Sequence, residues 1–323
     1  MNRYFLRLVV AMALTLPASA FPANTGPLSP KIALTNCGFT QTFLFIPRRA
    51  VTMNQSATEV MLMLGLETHM AGTAYLDDEI LPAVQKAYKT VPVIAQKYPS
   101  REVVLGVDPD FVYGGYASAF SDQAAGSRRD LAEMGIRSYL SPAVCKNDIN
   151  PDNPVTLSDV FQEVMDIGQI FGVEKRAQEL VHQMKNRLAN IRARIGKPGK
   201  QLSIFWYDSG EKTPFVGAGT GMPNYLIESV NAVNIFKSLK GGWKDANWED
   251  VIALNPDLIV LVQAGWSTAA GKKAYLKRTN ALRDLDAVKN NHFAVIEFSY
   301  TTPGIRNVAG VEVLARQLYP DKF

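Results

Sequence analysis

The side chains of this chain that could do chemistry are suited to holding a molecule, and not to breaking one. Asn54, Gln55, Tyr75, Lys97, Tyr98 and Tyr116 in the first half, and Trp206, Tyr207, Trp243, Trp266, Tyr300 and Arg306 in the second, sit at or just beyond apolar runs that read as strands. In open parallel sheets, ligands bind in the loops outside such strand ends. A tryptophan in a loop is costly to leave wet, so each either covers core or stacks its flat face on a ligand, and all four lie in the second half of the chain. Lys97 and Arg306 are the bases that would meet anionic oxygens, arginine in a bidentate fork. Catalytic sets are missing. No Ser-His-Asp series or nucleophile elbow is visible. His69, His182 and His292 are scattered without metal-ligand spacing. The run Gly217-Ala218-Gly219-Thr220-Gly221 resembles a phosphate loop only loosely, lacking the Lys-Ser/Thr that would follow, and reads as a cleft rim.

The elements that must position these residues are announced by a pattern stated twice. Residues 101–113 and 248–260 each give a short helical stretch with an early acid, Glu102 or Glu249. A turn follows, Asp108-Pro109-Asp110 or Asn255-Pro256-Asp257, and then a continuous apolar strand. Proline after Asp or Asn stops a helix, and an unbroken apolar run suits a parallel strand covered on both faces. Copies about 147 positions apart are too distant for solenoid repeats of roughly 20–50 residues, so they mark two similar lobes. Two lobes imply a cleft.

Other stretches agree. Ala50–Met53 and Met70–Ala74 read as strands flanking a helix, with Ser56 and Glu59 at capping-box spacing. Between Val173 and Ile195 the apolar residues recur in steps of three and four on one stripe, and Gly196 ends the run. At ~1.5 Å per residue that helix is about 35 Å long, enough to join two lobes. The expected fold is therefore α/β, with two similar three-layer lobes joined by a single long helix. Its boundaries are a targeting segment at 1–20, an extension with a hairpin around Asn36-Cys37-Gly38 at 21–46, a first lobe at 47–172, the linking helix at 173–196 and a second lobe at 197–323.

Residues 1–20 have a signal peptide's three parts: Arg3 and Arg7, an apolar core over Leu8–Leu16 too short to span a bilayer, and Ala18-Ser19-Ala20. No cysteine stands at the cleavage point, so a soluble exported protein without a lipid anchor is expected. Removing the segment leaves 32 basic against 30 acidic side chains, which does not point to nucleic acid. The two cysteines, Cys37 and Cys145, form an even pair, and in an exported chain such a pair reads as a disulfide or as two separate thiols before it reads as a metal site.

In order, Ser56-Ala57-Thr58-Glu59 through Leu64-Gly65, Glu102 through Asp110, Trp248 through Val262, and Tyr300-Thr301-Thr302-Pro303-Gly304-Ile305-Arg306 resemble the periplasmic substrate-binding proteins of ABC importers for siderophores, haem and corrinoids. With the mid-chain helix these segments cover nearly all of the mature chain. The resemblance implies a monomeric periplasmic protein, not an enzyme and without a resident cofactor, that holds a metal chelate between its lobes, a ferric siderophore first and a corrinoid or haem as the alternative. It also implies an ABC permease as partner, docked through one surface carboxylate per lobe, Glu102 and Glu249. Each alone is equally a good first-turn helix residue. Basic residues are sparse for a highly anionic catecholate, which counts against catecholates and keeps neutral hydroxamates and corrinoids open.

Overall fold

The computed structural model describes residues 31–323 apart from residue 198, and the side chains of residues 147–149 are not described. The targeting segment expected at 1–20 and the stretch 21–30 lie outside the described residues. A hairpin of β1 (Ile32–Asn36) and β2 (Phe39–Phe43) leads in. The first lobe follows as β3 (Ala50–Met53), α1 (Gln55–Met63), β4 (Met70–Ala74), α2 (Gln85–Tyr88), β5 (Val93–Ala95), α3 (Arg101–Gly106), β6 (Phe111–Gly114), α4 (Arg128–Glu133), β7 (Arg137–Leu140), α5 (Pro142–Ile149) and α6 (Leu157–Ile170). A 22-residue helix, α7 (Glu174–Ile195), leads to the second lobe. That lobe comprises β8 (Ser203–Ser209), β9 (Phe215–Gly217), α8 (Met222–Ser229), β10 (Val233–Asn234), β11 (Trp243–Asp245), α9 (Trp248–Leu254), β12 (Leu258–Gln263), α10 (Ala269–Arg278), α11 (Asp286–Lys289), β13 (Phe293–Glu297) and α12 (Asn307–Leu318).

The first sheet runs β5-β4-β3-β6-β7, every pair parallel. The second runs β11-β9-β8-β12-β13, with β12 parallel to both β8 and β13, and β10 added in parallel to β8. Strand β9 alone runs antiparallel to its neighbours, β8 and β11. Alternation along each strand feeds two helical layers. On β8, Ile204 and Trp206 face α8 and α12, whereas Phe205 and Tyr207 face α9, α10 and α11. Around the first sheet, α1 and α6 cover one face, and α3 and α4 the other. Helix α7 buries Ala177, Leu180, Val181, Met184, Leu188, Ile191 and Ile195 against α6 of one lobe and α12 of the other. One apolar core thus runs from Phe43 to Ala315, under both sheets. Gly196 ends α7 at φ 66°, a left-handed backbone that glycine adopts without steric cost.

The repeated Pro-Asp turn has a structural task. Asp108 (φ 49°) and Asn255 (φ 36°) turn the chain before each proline. The acid after the proline then clasps the start of the neighbouring strand. Asp110 accepts from the backbone N–H groups of Arg48 at 2.7 Å and Arg49 at 2.9 Å, just before β3. Asp257 accepts from Ser203 N at 2.8 Å and Ser203 Oγ at 2.7 Å, at the first residue of β8. Burial opposes ionisation of Asp257, but the bonds from Lys200 and Ser203 outweigh it and hold the carboxyl down at about 2.

The hairpin closes an edge. Asn36 Nδ2 donates to Leu140 O at 2.9 Å while Leu140 N donates back to Asn36 Oδ1 at 2.9 Å. Gln41 makes the same reciprocal pair with Ser138, at 2.6 and 3.0 Å. Two side-chain amides therefore stand in for a neighbouring strand along β7, an edge that would otherwise offer its backbone to another chain. A disulfide between Cys37 and Cys145 fastens the hairpin to α5, deciding the alternative left open by the sequence. Its partners are 108 positions apart, and in the chain-entropy model a loop of that size contributes up to ~4–5 kcal/mol.

Beneath the same sheet, Glu163 on α6 is fully buried, accepting from Tyr113 Oη and, at 2.9 Å, from Ser141 Oγ. Burial is the main cause that lifts its carboxyl to about 7, above the ordinary 4.5. An acid raised on folding takes up a proton in the native state, so its contribution favours folding at low pH and is lost as pH rises through about 7. Urea unfolding at pH 5, 6, 7 and 8 should show stability falling by about 2–3 kcal/mol from this group, and Glu163→Gln should flatten that slope. A slope that persists unchanged in the variant would remove Glu163 as its source.

Candidate ligand-binding cleft

Between the lobes lies a cavity of about 560 Å³. From the first lobe it is lined by Asn54, Tyr75, Asp77, Lys97, Tyr98, Tyr116 and Ser118. From the second come Asp208, Phe215, Trp243, Trp266, Phe298 and Thr302. Most stand just past a parallel strand: Asn54 follows β3, Tyr75 follows β4, Lys97 and Tyr98 follow β5, and Tyr116 follows β6. Trp266 and Phe298 follow β12 and β13, and Asp208 is the last residue but one of β8. The carboxyl ends of both sheets therefore open on one space, the usual ligand position of open α/β sheets.

The chain turns sharply to present the first two residues. Asn54 has φ 80° and ψ 155°, and Tyr75 has φ 58°. Such conformations cost of order 1–3 kcal/mol for a residue with a side chain and collect at functional sites. Asn54 is held by Tyr98, whose hydroxyl lies 2.9 Å from Asn54 Nδ2 and 2.9 Å from Ser118 Oγ. The Tyr75 and Tyr98 rings meet edge to face at 4.6 Å, and Lys97 Nζ lies 4.6 Å from the centre of the Tyr75 ring. Opposite, Trp266 meets Phe298 edge to face at 4.8 Å yet stays 57% exposed, an expensive ring to leave wet. Trp243 Nε1 is buried without a hydrogen-bond partner among the described residues.

Burial, with Asp78 adding repulsion and Lys97 opposing it, raises the Asp77 carboxyl to about 6. Burial likewise raises Asp208, Tyr98 and Tyr116, so the phenols stay neutral at ordinary pH. Asn54, Tyr75, Lys97, Tyr98, Tyr116, Trp243 and Trp266 are brought together as the sequence suggested. Five other expected contacts are not. Trp206 and Tyr207 occupy the central strand β8, covered on both faces, and each is completely buried in the core. Tyr300 packs against the shared core. Gln55 is engaged by Glu59 and by the backbone N–H groups of Asp77 and Asp78.

Arg306 is the largest correction. Its Nε donates to Glu59 Oε2 at 2.7 Å and its Nη2 to Glu59 Oε1 and, at 2.6 Å, to Glu79 O. The guanidinium is buried, and faces a carboxylate of the other lobe in place of a ligand. The capping box expected of Ser56 and Glu59 does not form: α1 begins at Gln55 behind Asn54, which makes no side-chain cap. Two further links cross nearby, Ser299 N to Asp78 Oδ2 at 2.7 Å and the side chains of Tyr116 and Thr302. Glu102 and Glu249 stand exposed in the first turns of α3 and α9. The bond to Ser100, then the backbone at the helix start, holds the Glu102 carboxyl below its ordinary value.

Sequence reasoning missed Asp77, Ser118, Asp208, Phe215, Phe298 and Thr302. The strand-end rule could have found Asp208 and Phe298. Asp77 was hidden in the run Asp77-Asp78-Glu79, which reads as a solvated stretch.

Two α/β lobes, one with a parallel and one with a mixed sheet, sharing a helix and a core and facing each other across an aromatic cavity, define a two-lobe solute-binding protein. Residues 51–300 match the family described as periplasmic binding protein, and the chain belongs to it. A periplasmic binding protein from Veillonella parvula superposes with a TM-score of 0.80 at 31% identity, over 90% of this chain and 98% of that one. A Saccharomonospora viridis structure titled as an ABC-type Fe3+-hydroxamate transport system superposes with a TM-score of 0.74 at 22% identity, over 89% and 99%. The uncharacterised ABC transporter substrate-binding lipoprotein YvrC of Bacillus subtilis is 26% identical over 86% of this chain and 82% of its own length. This chain is accordingly the substrate-binding component of an ABC transporter, a class that binds small molecules and passes them to a permease.

Breaking the Glu59–Arg306 pair leaves a buried charge unmatched, which typically costs ~3–5 kcal/mol. Glu59→Ala should therefore lower stability in that range in denaturant titrations. A loss below about 1 kcal/mol would show that the shared apolar core alone holds the lobes together.

Proposed function

We propose that this protein captures a metal chelate in the inter-lobe cavity and delivers it to an ABC permease, and that a ferric hydroxamate suits the lining best. The observation that carries this reading is the composition of the wall. Seven aromatic rings surround the cavity, and among the described residues no arginine lines it; Arg306 is bound to Glu59. Haem propionates and catecholates call for several bases, whereas a hydroxamate chelate presents an oxygen shell of low charge and apolar linkers. Among the described residues no three His, Cys, Asp or Glu side chains converge on one point, so in this reading the metal arrives already chelated. The hydroxamate title of the Saccharomonospora structure agrees with the choice. A corrinoid, also low in charge and flat, is the competing ligand. Residues 1–20 fit export by signal peptide, with the mature chain soluble in the periplasm.

Titrating the protein with a ferric trihydroxamate should quench tryptophan fluorescence with a dissociation constant of micromolar or below, about 8 kcal/mol or more. Trp266→Phe should remove most of the quench. Cobalamin and haem serve as comparison ligands. Tighter binding of either shifts the assignment, and silence from all three defeats it.

Glu102 and Glu249 are the proposed permease contacts, one per lobe on matching helices. Replacing both with alanine should cut uptake in cells at least tenfold. Affinity for the ligand in solution should stay within about threefold, under ~0.7 kcal/mol. Uptake near wild type would reduce the two acids to ordinary helix-start residues.

A further inference from the structure

We infer that the ligand carries a positive charge, an ammonium group or a net cationic chelate, which pairs with Asp208 on the second-lobe wall of the cleft. The inference rests on the chelate reading above and narrows it to a substrate class.

Three charged side chains line the cavity: Asp77, Lys97 and Asp208. Lys97 and Asp77 belong to the same lobe and offset each other; the amine lies over the Tyr75 ring and its charge acts on the Asp77 carboxyl. Asp208 faces them alone. Its residue is only 7% exposed. Ser209 Oγ donates to Oδ2 at 3.0 Å, and among the described residues no donor reaches Oδ1 and no cation lies within ion-pair distance. Lys272 on α10 is the amine whose charge reaches Asp208, but its Nζ is committed to Ser267 O at 2.6 Å and Ser267 Oγ at 2.9 Å. Burying a carboxylate without a paired cation is costly, which is why burial raises the Asp208 carboxyl, and a cation bound beside it would relieve that cost.

The surroundings point the same way. Phe215, Trp243, Trp266 and Phe298 form the second-lobe wall beside Asp208, and aromatic faces attract cations. Beyond the cavity the acids Asp78 and Glu297 act on each other, and Arg306, the base near them, is neutralised by Glu59. A cation entering this space meets a carboxylate with an open oxygen and a wall of ring faces. An anion meets two carboxylates and one amine already engaged.

Three probes decide the matter, titrated into the mature protein by calorimetry: a linear ferric trihydroxamate ending in a free ammonium, the same chelate N-acetylated at that amine, and a trianionic ferric tris-catecholate. Acetylation keeps an N–H donor while removing the charge, so it separates ion pairing from simple hydrogen bonding. The ammonium form should bind at least tenfold tighter than the acetylated form, and the catecholate should not bind. Asp208→Asn should bring the two hydroxamates within about twofold, chiefly by weakening the ammonium form. Equal or tighter binding of the acetylated chelate by the unaltered protein overturns the inference and leaves the chelate reading standing. A preference that survives Asp208→Asn overturns the assignment to Asp208. Binding of none of the three overturns the inference and the choice of a hydroxamate; the wider chelate reading falls only if cobalamin and haem are silent as well.

Discussion

The lobes of this protein share their interior. Helix α7 buries its apolar stripe against α6 on one side and α12 on the other, so the core beneath the first sheet continues beneath the second. Spreading the lobes apart would bring that surface into water, at roughly 25 cal/mol for each Å² uncovered. The bidentate clasp of Glu59 by Arg306 adds a directional constraint, because a fork of two parallel hydrogen bonds tolerates little rotation. Both constraints resist a change in the angle between the lobes, and a cavity shaped in advance leaves less of a ligand's binding energy to be spent on rearrangement.

That fixed frame gives the loops their role. Both sheets end at the same space, and the residues that matter are the first ones past each strand, where backbone direction is dictated by the ladder behind it. Asn54 shows the arrangement at its most strained. Its unfavourable backbone is held by the ladder bond from its own N–H to Ala74 O at 3.0 Å, and its carbonyl receives Thr58 N at 3.2 Å. The side chain is thereby aimed at Tyr98. Precision here comes from the sheet.

Much of this was legible in the sequence for identifiable reasons. The repeat around Asp108-Pro109-Asp110 and Asn255-Pro256-Asp257 reports two lobes because each acid after proline has the same local job, clasping the start of the next strand over. The stripe of α7 is legible because its period is that of a helix with one buried face. What could not be read is which side chains look outward. Trp206 and Trp266 are the same residue type, each in or just beyond an apolar run that reads as a strand, yet one is wholly buried and the other 57% exposed. The difference is whether the residue falls inside the ladder or beyond it, and strand ends are the least certain boundaries in any sequence. Arg306 misled for a different reason. An arginine pairs with a ligand's oxygens or with a glutamate's by the same geometry, and its partner Glu59 lies 247 positions away in the chain. The local spacing of Ser56 and Glu59 offered a nearer explanation, and it was the wrong one.

A polypeptide emerges amino-terminus first, and this gives the hairpin a place in time as well as in space. The strands Ile32–Asn36 and Phe39–Phe43 appear long before the edge they will cover, since Leu140 and Cys145 follow about a hundred positions later. Cys37 has no partner within its own chain until Cys145 is made. In the folded protein the two α-carbons stand 5.8 Å apart, within a disulfide's reach, so the contacts that seat the hairpin on β7 also bring the sulfurs together. The bond then ties the earliest strands of the lobe to one of its last helices.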